Sequence, residues 1–303
     1  MSILRPPSSH QVRLALFLTG LGGLLFTLDL PLLRLSLADQ WTMVFTRGLF
    51  LFTAIAGAWA LSAFSGREAP PFIAGRAGLA VALISTIGNT AYIGAVSHTG
   101  AANVVFIIAL TPLLAAGLSR YVLGERIHPV TWVATLLAFL GAAIIAYHGL
   151  STGHWTGDAM AFASALCSAT IFTIIRATRK KVATSLALGS LASALVALTV
   201  FGVSLDAILA PGAWGLPAWL WLGLNGLVAI PLATVLLARG PRVLPSADVS
   251  MFFMLETVLT PVWIWLLFGE VPSTEVLQGG AIIVTTLLTH SWWRLRLSRG
   301  GIT

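Results

Sequence analysis

Charge is what this chain lacks most. Asp, Glu, Lys and Arg make up only 9% of its 303 residues, whereas 57% are hydrophobic. A soluble domain carries roughly 25% charged residues. So small a share leaves too little polar surface to cover a water-soluble particle, and the composition predicts a membrane protein. Cysteine is scarce too: Cys167 stands alone, which excludes an internal disulfide. The only lysines are Lys180 and Lys181, and neither follows a glycine, which excludes a Walker A loop and ATP hydrolysis by that route. HExxH is missing, so the commonest metalloprotease signature is absent. No cofactor is expected.

What the chain has instead is a string of long apolar runs. A membrane-spanning helix needs about 20 mostly apolar residues. Ten stretches qualify: 14–33, 41–64, 73–97, 99–121, 128–147, 158–175, 183–203, 216–238, 245–268 and 275–293. Between them lie short connections holding turn formers such as Ser65-Gly66, Pro70-Pro71, Pro211-Gly212 and Gly240-Pro241. A β-barrel would need alternating segments of about ten residues, and these runs are apolar on every side. The first run follows Arg13, as in a signal peptide. It continues past Leu28 without an Ala-x-Ala site, so it is read as a retained helix.

Orientation follows from the basic residues. With the N-terminus in the cytoplasm, 15 of the 17 Lys and Arg fall on that side. Arg34 alone is external, and Arg47 lies within a helix. This is a strong positive-inside bias, and it places both termini inside. It also accounts for the net charge of +7 without nucleic acid, because these charges face anionic lipid headgroups.

The stretch YVLGERIHP, from Tyr121, and the stretch LLFGEVPST, from Leu266, each end an apolar run in Gly-Glu. A shift of 145 residues brings Gly124 onto Gly269 and Glu125 onto Glu270. The same shift aligns Ala102 with Ala247, Val104 with Val249 and Leu110 with Leu255. The repeating unit is then five helices. An odd unit starts its second copy from the opposite face, so residues 1–149 and 150–303 are expected to be inverted five-helix repeats. That architecture puts a substrate site near the midplane between repeats. The expected fold is therefore an all-α polytopic membrane protein of ten transmembrane helices in a bacterial-type inner membrane.

The segments "LTPLLAAGLSRYVLGERIHPVTW" and "LETVLTPVWIWLLFGEVPST" resemble the drug/metabolite transporter superfamily, EamA-type. They also resemble its aromatic amino-acid exporter branch. The resemblance implies that helices one to four and six to nine enclose the cavity, with five and ten outside. It further implies export of amino acids or related metabolites. One departure is that Thr257 stands where the first half has Pro112, and proline comes a turn later as Pro261.

Pro112, Pro231 and Pro261 each remove an amide donor and free a carbonyl one turn back, which suits a kinkable gate or a static bend. Glu256 lies eleven residues into the ninth apolar stretch, roughly 16 Å along a helix and near the midplane. An acid there costs a few kcal/mol unless paired, hydrated or protonated. It either receives a substrate ammonium, carries a coupling proton, or fixes the bundle. Arg47 either binds a carboxylate, snorkels outward, or pairs with Asp29 or Asp39. Asn89, Asn103 and Asn225 suit a zwitterion or interhelical hydrogen bonds. Tyr92, Phe106, Phe172 and Trp263 suit an apolar wall. Glu125 and Glu270 are read as structural or gating groups at helix ends.

These residues point to a secondary exporter working by alternating access, with small amphipathic metabolites, amino acids first, as substrates. The expected partners are the solute, the bilayer and, as an open alternative, protons; no ATPase subunit is evident. Multidrug efflux of lipophilic cations would need only Glu256 and aromatics. Uptake or exchange of a nucleotide-sugar or sugar phosphate would need several deep cations, and Arg47 is alone. An intramembrane enzyme would need a facing nucleophile and base; adjacent Ser97 and His98 diverge by roughly 100° on a helix.

Overall fold

The structure, a computed structural model, describes residues 9–65, 71–99, 104, 107–125, 128–146, 155–203, 205–245, 248–249, 251–269, 271 and 274–299. Helix α1 spans Ser9–Phe26, α2 Asp29–Ser36, α3 Gln40–Phe64, α4 Gly75–His98, α5 Thr111–Leu123 and α6 Pro129–Ala146. There follow α7 (Trp155–Thr178), α8 (Ala183–Val196), α9 (Leu205–Leu209), α10 (Ala218–Gly223), α11 (Ile230–Leu237), α12 (Met254–Phe268) and α13 (Thr274–Arg299). Among the described residues the β pairing amounts to an isolated bridge between Pro211 and Pro217.

Six helices among the described residues are long and apolar enough to cross a membrane, and Pro129–Ile144 and Leu255–Phe268 are shorter apolar helices. Large apolar side chains face outward, while an otherwise apolar interior holds several charged and polar groups. Phe17, Phe64, Leu83 and Leu266 are exposed, while Asp29, Arg47, Asn225 and Glu256 are buried. In water that distribution would be unstable; hydrocarbon around the bundle explains it.

The most extensive interfaces join the two halves of the chain: α4 with α7, α6 with α13, α3 with α8, α4 with α8 and α1 with α11. Small residues permit this close approach. A Cβ on Gly141 would lie 2.8 Å from the Gly279 carbonyl oxygen and 2.8 Å from Ile283. Without a hydrophobic driving force between helices in lipid, such backbone contact supplies the packing energy. Thr131 meets His290 while Gly141 meets Gly279, so α6 and α13 run antiparallel.

Several stretches expected as single helices are broken. The first bends at Thr27–Leu28, separating α1 from α2. The fourth has a turn at Ala109–Leu110, and α5 starts only at Thr111. Pro112 therefore occupies the first turn of a helix, where its missing N–H costs nothing, and does not kink a helix interior. The Ile108 carbonyl accepts the Thr111 hydroxyl at 2.6 Å. The ninth stretch passes through a 3₁₀ turn, Met251–Phe253, before α12. Glu256 thus lies in the first turn of α12 and not deep in a continuous helix, and Pro261 sits inside that helix. Pro231 follows a π-helical turn, Leu224–Ala229, which widens the helix just before the proline.

The two Gly-Glu tips share a backbone reason. Gly124 at φ 65° and Gly269 at φ 73° are left-handed, the conformation that ends a helix and that glycine adopts without strain. The Glu125 amide reaches the Ser119 carbonyl and the Gly269 amide reaches the Trp265 carbonyl, capping α5 and α12.

Candidate functional site

The bend between α1 and α2 decides the centre of the molecule. Thr27 closes it, donating its hydroxyl to the Leu24 carbonyl at 2.7 Å. Asp29 then opens α2, where the helix N-terminus favours an acid, and its side chain is wholly inaccessible. Arg47, on α3, donates from Nη2 to Asp29 Oδ2 at 2.6 Å and from Nε to Asn225 Oδ1 at 3.2 Å. Asn225, in the π-helical turn, donates to Asp29 Oδ1 at 2.7 Å and to the Asp29 carbonyl at 3.2 Å. Three elements, α2, α3 and the π turn, are tied at one point.

Each of these groups is costly alone. The effective penalty for burying an ion is several kcal/mol, and attraction offsets it only when the remaining donors and acceptors are also satisfied. Here the carboxylate receives the arginine on one oxygen and the asparagine amide on the other, and the asparagine oxygen takes the second arginine donor.

Across the Tyr92 ring stands the second acid. The Arg47 guanidinium carbon lies 5.8 Å from the Tyr92 ring centroid, within cation–π range. The Tyr92 hydroxyl donates to Glu256 Oε1 at 2.9 Å. Both residues are buried, Tyr92 being 6% and Glu256 4% exposed.

Arg47, Tyr92 and Glu256 face a cavity of about 140 Å³. Its wall is otherwise apolar or neutral-polar, with Phe172 and Ile171 on one side and Ser85, Asn89, Thr111 and Ser190 among the polar groups. Among the described lining residues the formal charges are Arg47 and Glu256. Thr111, which corresponds to Glu256 at the 145-residue shift, lines the same cavity, so the two halves contribute matching positions.

Other residues expected from the sequence fall as follows. Asn89 lines the cavity and donates to the Ser190 hydroxyl at 2.9 Å, joining α4 to α8. Phe172 is part of the wall. Trp263 turns elsewhere, donating its indole N–H to the Thr27 hydroxyl at 2.9 Å, so it braces the α1–α2 bend. Glu125 does not line the cavity: it accepts Arg176 Nε at 2.7 Å, and Arg176 also donates to the Val243 carbonyl at 3.2 Å. Asn103, Phe106 and Glu270 lie outside the described residues. Asp29 is the group that sequence reasoning undervalued. It entered only as one of two partners for Arg47, although, like Glu256, it is an acid inside an apolar run.

Compared with known proteins, the chain matches the model described as "EamA-like transporter family" twice, over residues 13–147 and 155–291. A solved structure described only as "Crystal structure of protein" superposes with a TM-score of 0.73 at 16% identity, over 90% of this chain and 95% of the other. At that identity the likeness speaks for the fold alone. No curated protein matches. With its apolar helices and the doubled match, the chain is an all-helical, polytopic membrane protein.

Proposed function

The chain belongs to the EamA-like transporter family, and from that premise we propose that it exports amino acids and related small metabolites across a bacterial-type inner membrane by alternating access. It is no enzyme in this reading. The two halves, 1–149 and 150–303, act as inverted five-helix repeats that rock about the central cavity, with both termini in the cytoplasm.

The observation that carries this reading is Glu256 facing the cavity with Tyr92 on one oxygen and the Arg47–Asp29 pair behind the ring. A buried acid of this kind marks a substrate or ion path in a membrane protein. Glu256 takes the ammonium of the solute, and Asn89 with the serine hydroxyls supplies neutral hydrogen bonds. The 140 Å³ cavity is below the roughly 300–1,000 Å³ of drug-sized pockets, which favours compact metabolites. With no ATPase, net export draws on the solute gradient or on a coupled ion, and proton antiport fits an acid that must be neutralised between cycles.

Flux of radiolabelled amino acids in proteoliposomes, with and without a pH gradient, tests the reading. Glu256→Gln is expected to reduce flux strongly and to remove any response to the gradient. Unchanged transport would make Glu256 scaffolding. One observation favours a second reading: Arg47 is bound to Asp29, so the cavity's surplus charge is negative. That suits efflux of lipophilic cations, and a panel of such cations separates the two.

A further inference from the structure

We propose that Asp29 is the specificity-determining residue of the cavity: by holding Arg47 it makes the site favour small amines over amino acids and over carboxylic acids. This rests on the transporter reading above and ranks its solutes, with amines among the related metabolites placed ahead of amino acids.

The reasoning is a charge count. One cation, Arg47, and two acids, Asp29 and Glu256, are buried around the cavity; counted with Glu256 ionised, the form that receives an ammonium, they leave a surplus of one negative charge. Asp29 is wholly inaccessible and does not line the cavity. It acts from behind, through Arg47, whose Nη2 and Nε are engaged by Asp29 and Asn225. A substrate carboxylate would have to compete with a carboxylate already at 2.6 Å. It would also add negative charge to a site that has too much.

An amino-acid zwitterion cancels its own charge and leaves the surplus in place. A plain amine removes it, placing its ammonium at Glu256 beside the Tyr92 hydroxyl. In a medium where an unpaired ion costs several kcal/mol, that difference decides between the two. The rest of the wall does not reverse it. Ser85, Asn89, Ser190 and Thr111 offer hydrogen bonds without charge, and Phe172 and Ile171 offer apolar contact to a hydrocarbon tail. The favoured solute is the decarboxylated counterpart of an amino acid.

Three probes sharing one phenyl ring make the test: phenethylamine, phenylalanine and 3-phenylpropanoate. The purified full chain is measured twice, by binding in detergent and by flux in proteoliposomes. The wild type is expected to prefer phenethylamine over phenylalanine by at least tenfold and to reject the acid. Asp29→Asn frees Arg47 and brings the count to zero, so the amine-to-amino-acid ratio should fall at least tenfold. Adding Arg47→Gln to Asp29→Asn restores the single surplus charge and should restore the ratio. A merely structural role for Asp29 would make the double variant worse, not selective again.

A wild type that binds phenylalanine as well as phenethylamine overturns the proposal and leaves the transporter reading intact. So does an unchanged ratio in folded Asp29→Asn. The expected binding ratios without flux of any probe support the proposal and count against the transporter reading. Because the wild-type ratio alone can refute the idea, the test survives a variant that fails to fold.

Discussion

Replacing Arg47 with Gln tests the buried network most directly. Gln keeps a polar stem but removes the cation, so Asp29 is left wholly buried with only the Asn225 amide and no countercharge. Breaking a buried ion pair from one side costs about 3–5 kcal/mol, because the remaining charge is uncompensated. The lost cation–π contact over Tyr92, at 5.8 Å, adds about 0.5–1 kcal/mol. Against a typical total of about 5–15 kcal/mol this is a large fraction. At about 2 °C per kcal/mol, the expected fall in Tm is about 7–12 °C. The assay is thermal unfolding in one detergent, followed by the fluorescence of the 11 tryptophans. Asp29→Asn combined with Arg47→Gln leaves neutral amides and should regain most of the loss, since removing both charges also removes their desolvation cost. A single variant that melts with the wild type would refute the reasoning, as would a double variant that melts below the single.

Two further perturbations probe the supports. A Cβ on Gly226 would lie 2.7 Å from Phe50 Cβ and 3.0 Å from the Arg47 carbonyl oxygen, so Gly226→Ala forces the π turn away from α3. The expected cost is about 1–3 kcal/mol in the same melting assay, and flux should drop as neighbouring Asn225 leaves Arg47; an unaltered Tm would count against it. Asp39 caps α3, accepting the Trp41 and Thr42 amides and the Thr42 hydroxyl. Partial burial works against its charged form, but these hydrogen bonds outweigh it and hold the carboxyl below its ordinary 3.8. A depressed folded-state value means the cap stabilises above that ordinary value and is lost as pH falls through the folded-state one. Asp39→Ala should therefore cost about 1 kcal/mol at neutral pH, less if solvent screens the exposed cap, and nothing in strong acid. A deficit equal at both pH values would show that the cap is not the cause.

Much of the architecture was legible residue by residue. The apolar runs announced the membrane. The glycines 145 residues apart announced two helix ends, and both adopt the left-handed cap that only glycine takes freely. Glu256, Tyr92, Arg47, Asn225, Asn89 and Phe172 stand out in the sequence because a polar or bulky group inside an apolar run must have a reason, and all six line the cavity or its supporting network. The breaks were harder to read. Thr27–Leu28 contains neither Gly nor Pro, and the polar Thr27 and Asp29 and the nearby Pro31 do not by themselves say that the run bends there. Pro112 and Pro231 were visible, but whether a proline kinks a helix or begins one depends on what the preceding carbonyls find. At Ile108 the answer is the Thr111 hydroxyl. Trp263 shows the same limit: its ring suits a cavity wall, yet its indole N–H went to Thr27.

The sequence by itself determined the solvent, because hydrophobicity accumulates one residue at a time and needs no knowledge of neighbours. It also determined where the chain turns, wherever glycine or proline restricts the backbone locally. Only the tertiary structure decided which buried charges meet. Arg47 had the nearer acid, Asp39, within reach along the chain, yet the acid it took is 18 residues away, with Asn225 178 residues away completing the pair. Electrostatic pairing depends on distance in space, and that distance is set by how helices from both halves pack.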